Sequence, residues 1–145
     1  MLIERLASLT SERLMLIAVD ATLQMAARSL SNPGIGLVII HGEKGEAIGV
    51  LSKSDVIRHL TDGDPAQASI AALMSKDIVS CTPDDEVRAA WETMVARRLQ
   101  NIPVLTADGK PLGVLDIRDA MTALFKEEEF AEHMLADYIA GVGYR

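Results

Sequence analysis

Two four-residue segments of the 145-residue chain, Ser52-Lys53-Ser54-Asp55 and Asp116-Ile117-Arg118-Asp119, carry polar groups at a spacing that could hold a ligand. Each follows the same apolar lead, Gly49-Val50-Leu51 and Gly113-Val114-Leu115, and the aspartates that end them stand 64 residues apart. The backbone N–H groups at a helix start attract phosphate, and a carboxylate in the first turn can accept both hydroxyls of a ribose. The same spacing is a capping-box variant, Ser-x-x-Asp, that stabilises a helix and binds nothing. For one copy both readings stay open. Two copies in register make the ligand reading worth pursuing.

The elements that must position these groups follow from the flanking pattern. Each copy reads as a short strand breaking into a helix, Ala47 to Leu51 then Ser52 to Leu60, and Pro111 to Leu115 then Asp116 to Leu124. Ser52 and Asp116 are helix-capping residue types, and Asp55 and Asp119 fall where the helix dipole favours negative charge. Carried outward without a gap, the register also pairs Asp20 with Asp84, Ala26 with Ala90, Gly45 with Gly109 and Leu60 with Leu124. Apolar runs, caps and breakers then predict a leading helix from Met1 to Leu9 broken by Thr10-Ser11. A strand from Leu14 to Val19 follows, then a helix capped by Asp20-Ala21-Thr22 and ended by Ser31-Asn32-Pro33-Gly34, and a strand from Ile35 to Ile40. Ala66 to Met74 is expected to connect the copies. The second copy repeats the order with a strand Ile78 to Cys81, a helix Glu86 to Leu99 and strands Ile102 to Leu105 and Leu112 to Leu115. Lys126 to Tyr138 predicts a separate acidic helix, with a frayed tail from Gly141 to Arg145.

The fold class expected is α/β (α+β): two β-α-β-β-α repeats packed about a pseudo-twofold axis, with N- and C-terminal helices. Residues 1–62 hold the first helix and repeat, 63–125 the second repeat, and 126–145 the acidic helix and tail. The helical crossover makes the first and second strands of a repeat parallel, and the tight turn makes the second and third antiparallel.

Composition narrows the function. A net charge of −7 argues against nucleic-acid binding, which needs a basic face. Hydrophobic residues make up 49%, yet no run approaches the roughly 20 residues of a membrane helix. The opening Met1-Leu2-Ile3-Glu4-Arg5 is charged where an export signal is apolar, so a cytoplasmic location is expected. Cys81 is the single cysteine, read as a buried thiol. His41, His59 and His133 are scattered, so no metal site is expected.

The order of these features resembles a tandem pair of CBS (cystathionine-β-synthase) domains, a Bateman module. The residues that carry the resemblance are the two Gly-h-h-x-x-x-Asp segments (h, apolar), Ile102-Pro103-Val104 after a helix, Met74-Ser75-Lys76-Asp77-Ile78-Val79, and Thr82-Pro83, over about residues 9 to 125. The resemblance implies a regulatory, non-catalytic module that binds AMP, ADP, ATP or NAD(H) in clefts between the repeats. One site would use Val50, Ser52 and Asp55 with Ile78, Val79, Asn101, Ile102 and Pro103. The other would use Val114, Asp116 and Asp119 with Leu14, Met15, Leu37 and Val38. In this reading the aspartates hold ribose, apolar residues sandwich adenine, and Ser52 donates to phosphate. Lys53, Arg118, Arg97 and Arg98 are the cations that could reach phosphate. They are few enough to favour a monophosphate or dinucleotide over free ATP. Asp116 replaces the usual Ser or Thr and puts an acceptor-only group near phosphate, and repeat one lacks the proline of Ile102-Pro103, so the first site is expected to be the stronger. Apolar helix faces including Trp91, Met94 and Met121 suit a homodimer, and the output is expected to reach an effector protein or the tail helix. A scaffold module with vestigial clefts is the alternative. An enzyme is not expected, because no base-oriented nucleophile is present.

Overall fold

The computed structural model describes residues 1–140, so the predicted tail from Gly141 to Arg145 lies outside the described residues. A 3-10 turn, Ile3–Leu6, runs into α1 (Ala7–Glu12), and then come β1 (Leu16–Ala18), α2 (Leu23–Leu30), β2 (Leu37–His41), β3 (Ala47–Ser52) and α3 (Lys53–Thr61). After α4 (Ile70–Leu73) the second copy supplies α5 (Val87–Arg97), β4 (Asn101–Leu105), β5 (Pro111–Asp116) and α6 (Ile117–Ala140). The expected strand directions hold: β1 and β2 are parallel, β2 and β3 antiparallel, β4 and β5 antiparallel. Leu37 opposes Ser52 as Asn101 opposes Asp116, so the 64-residue register is also the sheet register. Gly45 and Gly109 turn these hairpins at φ 81° and 85°, a backbone that glycine adopts without a Cβ clash.

The two sheets differ by one strand. The predicted strand Ile78 to Cys81 does not form, and only a parallel bridge between Cys81 and Val104 remains. Proline explains the loss. In the first repeat the Ile39 N–H donates to the Met15 carbonyl at 2.9 Å. The residue 64 positions on is Pro103, which has no N–H to give Val79, and the ladder loses that rung.

Three other expectations are corrected. Thr10 and Ser11 do not break the first helix, because their hydroxyls donate back to the carbonyls of Ala7 and Ser8 and α1 continues to Glu12. The connection Ala66 to Met74 is helical only over Ile70–Leu73. The acidic helix is not separate: with no glycine or proline between Ile117 and Ala140, α6 runs unbroken for 24 residues.

Each repeat has its own core, and each core is completed by the segment that precedes the other repeat. Ile3 and Leu6 pack with Val87, Met94, Ile102 and Leu115 of the second repeat, while Ile70, Leu73 and Met74 pack with Leu23, Val38 and Leu51 of the first. The glycine of each repeated motif permits this. A Cβ on Gly113 would stand 2.7 Å from the Thr10 carbonyl, and one on Gly49 would collide with Met74. Leu37, Ile39 and Val114 form a smaller cluster, with Leu14, Ala47 and Val50 packed against it, that joins the two sheets. Cys81 is buried in the second core, where desolvation and the nearby Asp85 push its thiol up to about 12.

Candidate functional site

Period-2 alternation in the strands decides which side chains face out. In β4, Ile102 and Val104 point into the second core, so Asn101 and Pro103 face the other way. In β3, Leu51 points into the first core and Val50 does not. The outward residues wall a cavity of about 1100 Å³, just above the few hundred to about 1,000 Å³ of ordinary small-molecule sites. Val50, Pro103 and Val79 form apolar wall, and Ser52, Lys53 and Asp55 line it at the start of α3.

The start of α3 is a full capping box. Ser52, in extended conformation, accepts the Asp55 N–H on Oγ at 3.1 Å, and Asp55 Oδ2 accepts the Ser52 N–H at 3.0 Å. Arg58, one turn further on, stands 3.1 Å from Asp55 Oδ1. Burial alone would raise the Asp55 carboxyl, but the Ser52 N–H and hydroxyl together with Arg58 hold it below the usual carboxylate range. Asp55 is therefore ionised and oriented. The capping box leaves Asp55 Oδ1 able to take a hydroxyl donor, because Arg58, which pairs with it, is exposed and can give way.

Six of the eight residues assigned from sequence to the first site line this cavity, Val50, Ser52, Asp55, Val79, Asn101 and Pro103, and so does the candidate cation Lys53. Ile102 is turned into the second core, and Ile78 is half-buried outside the lining. Asn101 carries a side-chain oxygen with no hydrogen-bond partner in the wall. Leu37 and Arg118, assigned to the second site, line this cavity instead. So do Arg58, Arg98, Gln100 and Asp77, of which only Arg98 was singled out from sequence; Arg97 does not. The cavity thus has as many Lys and Arg side chains as the sequence suggested, four, with Arg58 in place of Arg97. Arg58 was legible only as a basic residue three after Asp55, and Asp77 only as part of the family-like lead-in.

The groups assigned to the second site are engaged with each other. Asp116 is 2% exposed and accepts from the Arg118 backbone N–H at 2.8 Å and from its guanidinium at 3.0 and 2.9 Å. Burial would raise the Asp116 carboxyl, but Arg118 and, more weakly, Arg13 hold it low. Asp119 is taken by Arg13: Nε donates to Oδ2 at 2.7 Å and a terminal nitrogen to Oδ1 at 3.3 Å. The other terminal nitrogen of Arg13 donates to the Gly34 carbonyl at 2.9 Å. One guanidinium ties α6 of the second repeat to the loop after α2 of the first. Leu14 and Val114 lie in the joint between the sheets, Met15 packs against the first core and Val38 is buried in it. Sequence reasoning missed Arg13, which carries no motif and acts on a partner 106 residues away.

Comparison with known proteins agrees with the fold and its duplication. The family model described as CBS domain matches twice, over residues 6–62 and 70–126. A 17.7 kDa protein of Acidianus ambivalens is 20% identical over 139 residues, covering 96% of this chain and 84% of that one. A Methanopyrus kandleri protein is 30% identical over 97 residues, 66% of this chain, and the match spans half of its length. Among solved structures, the CBS domain pair of protein MJ0100 in complex with 5′-methylthioadenosine and S-adenosyl-L-methionine superposes with a TM-score of 0.74 at 17% identity, covering 88% of this chain and 98% of that one. A CBS domain protein from Pyrobaculum aerophilum complexed with AMP gives 0.71 at 21% identity, over 78% and 87%.

Proposed function

The chain belongs to the CBS domain family and carries two copies of its unit, and on that premise we propose that it is a regulatory module that binds one adenosine-containing ligand in the cleft at the start of α3. The observation that carries the reading is the joining, in one open cavity, of an oriented and ionised Asp55, a helix start, apolar walls and several cations. Asp55 accepts the ribose hydroxyls, Val50, Val79 and Pro103 hold the base, and the Ser52 hydroxyl at the start of α3 meets phosphate. AMP, ADP, ATP and NAD(H) all fit this chemistry. The adenosine compounds bound by the pairs from MJ0100 and Pyrobaculum aerophilum support the class. The ligand acts by favouring one relative orientation of the repeats, which requires different affinities for two arrangements. No helix among the described residues is long and apolar enough to cross a membrane, in keeping with a cytoplasmic sensor that reports to an effector protein.

A homodimer completes the reading. Of the residues expected from sequence on this face, Met94 is buried in the second core and Trp91 packs against it, so only Met121 is exposed. With Met25, Ile57, Leu60, Val95 and Phe125 it leaves apolar surface on the repeat helices that a second copy would cover. This apolar surface also favours a second reading, a constitutive dimerisation scaffold that needs no ligand.

Thermal unfolding separates the two. Ligand at 100 times its dissociation constant stabilises the folded state by about 2.7 kcal/mol, a rise of roughly 5–10 °C for a chain of this size. A rise with one adenosine compound that Asp55→Ala removes supports the sensor. No rise with AMP, ADP, ATP, NAD+, NADH or S-adenosylmethionine supports the scaffold.

A further inference from the structure

We propose that Arg98, held over the open cleft by a left-handed backbone, is the residue that makes this site select phosphorylated over unphosphorylated adenosine ligands. The proposal rests on the reading of the cleft as a nucleotide site and goes beyond it in assigning the selectivity to one side chain. Arg98 caps the C-terminal end of α5 with φ 58° and ψ 42°, and among the described residues it is the one non-glycine with positive φ. The others, Gly45, Gly63 and Gly109, are the residue type that this conformation favours. The reversal is fixed by hydrogen bonds from the Arg98 N–H to the Val95 carbonyl at 3.2 Å and from the Leu99 N–H to the Met94 carbonyl at 2.8 Å. A large side chain is therefore kept where the local fold calls for none, and it lines the cavity. Strain retained at a cavity wall points to a role in the cavity.

Internal duplication says which part of the ligand it meets. The 64-residue register places Gly34 at the position of Arg98 and Asp119 at the position of Asp55. In the filled cleft a single guanidinium touches both, 2.7 Å from the Asp119 carboxylate and 2.9 Å from the Gly34 carbonyl. By the same geometry, the backbone of Arg98 lies within one guanidinium's breadth of the group that Asp55 holds. Its side chain then reaches what is attached to that group, the phosphates of a ribose held by Asp55. Arg58 and Arg118 are engaged with Asp55 and Asp116, whereas no ion pair to Arg98 occurs among the described residues. A guanidinium fork matches phosphate oxygens two at a time.

The test is calorimetric titration of the full chain with adenosine, AMP and ATP, using wild type, Arg98→Gly and Arg98→Lys. Glycine restores the favoured residue at this backbone, so the unliganded variant should melt no lower than wild type. Its affinity for ATP should fall about tenfold or more, the scale of a lost charge-assisted hydrogen bond, with adenosine unchanged and Arg98→Lys between the two. Equal losses for adenosine and ATP, or a melting temperature below that of wild type, would overturn the assignment. Wild-type binding that Arg98→Gly leaves intact overturns the role of Arg98 alone. Failure of the wild type to bind any of the three probes overturns the nucleotide reading and this proposal together.

Discussion

The two clefts occupy equivalent places in a duplicated chain, and their chemistry differs at most of the equivalent polar positions. Where the open cleft has Ser52, Ser54, Asp55, Asp77 and Arg98, the equivalent positions hold Asp116, Arg118, Asp119, Arg13 and Gly34, each pair 64 residues apart, and Arg118 reaches over to line the open cleft as well. The aspartate of the motif is common to both. The decisive exchange is Asp77 for Arg13, because an arginine at that place reaches the motif carboxylate and supplies from within the chain the donors that a ligand would bring. The same backbone thus leaves a cavity open with one residue and forms an internal clamp with another. The clamp bridges the repeats from within the filled cleft.

The largest effect should come from exchanging the motif aspartates. Asp55→Ala should weaken binding of an adenosine nucleotide by about 10- to 100-fold, the scale of a lost charge-assisted pair of hydrogen bonds, read by calorimetry. Without ligand it should cost only about 1 kcal/mol, the worth of a helix cap. Asp119→Ala should do the reverse. It leaves the guanidinium of Arg13, with its side chain 23% exposed, short of its main partner, and should cost about 1.5–3 kcal/mol while nucleotide affinity stays within a factor of about two. Equal losses of affinity from both variants would end the contrast between the clefts.

Next in size is a transplant. Asp77→Arg places a guanidinium in the open cleft at the position equivalent to Arg13, where it should pair with Asp55 and compete with the ligand. The expected outcome is at least a tenfold loss of nucleotide affinity, with a gain of roughly 2–4 °C in melting temperature if the new pair is worth about 1 kcal/mol. A variant that binds as wild type would show that Arg13 closes its cleft through some feature other than position. Arg13→Ala examines the other direction: binding stoichiometry should rise from one to two per chain if the clamp alone closes the second cleft.

Legibility of the sequence follows the same division. The repeats, their turns and the Asp55 capping box were readable because turn glycines, caps and strand alternation are local signals, and duplication printed the strands and turns twice. The missing strand near Ile78 was not, although its cause is one residue: Pro103 shapes the cleft wall and removes the N–H that Val79 would have needed. The orientation of Ile102 and Val38 follows from alternation once the register is known, but the register of a strand against its core is a tertiary fact. Arg13 was invisible for a different reason. Its partners, Gly34 and Asp119, come together only because the segment before the first repeat crosses to cover the second.

The smallest predicted effect concerns pH and again divides the clefts. Asp116 is buried against Arg118 and Arg13, and its carboxyl titrates below its ordinary value of 3.8. A carboxyl lowered on folding contributes stability that is fully present above its unfolded value and is lost as pH falls through the folded one. Asp55 contributes with the same sign through its cap and Arg58, so wild type should lose melting temperature steadily below about pH 4. In Asp116→Asn the contribution from the filled cleft is absent at every pH, and the acid slope that remains belongs to the open cleft and to other carboxylates. Saturating nucleotide engages Asp55 and should steepen that remaining slope, because protonating Asp55 then also releases the ligand. The ligand should leave the difference in melting temperature between wild type and Asp116→Asn unchanged at neutral pH. A ligand-dependent change in that difference, measured at pH 7, would mean that the two clefts are energetically coupled and that the clamp takes part in the response.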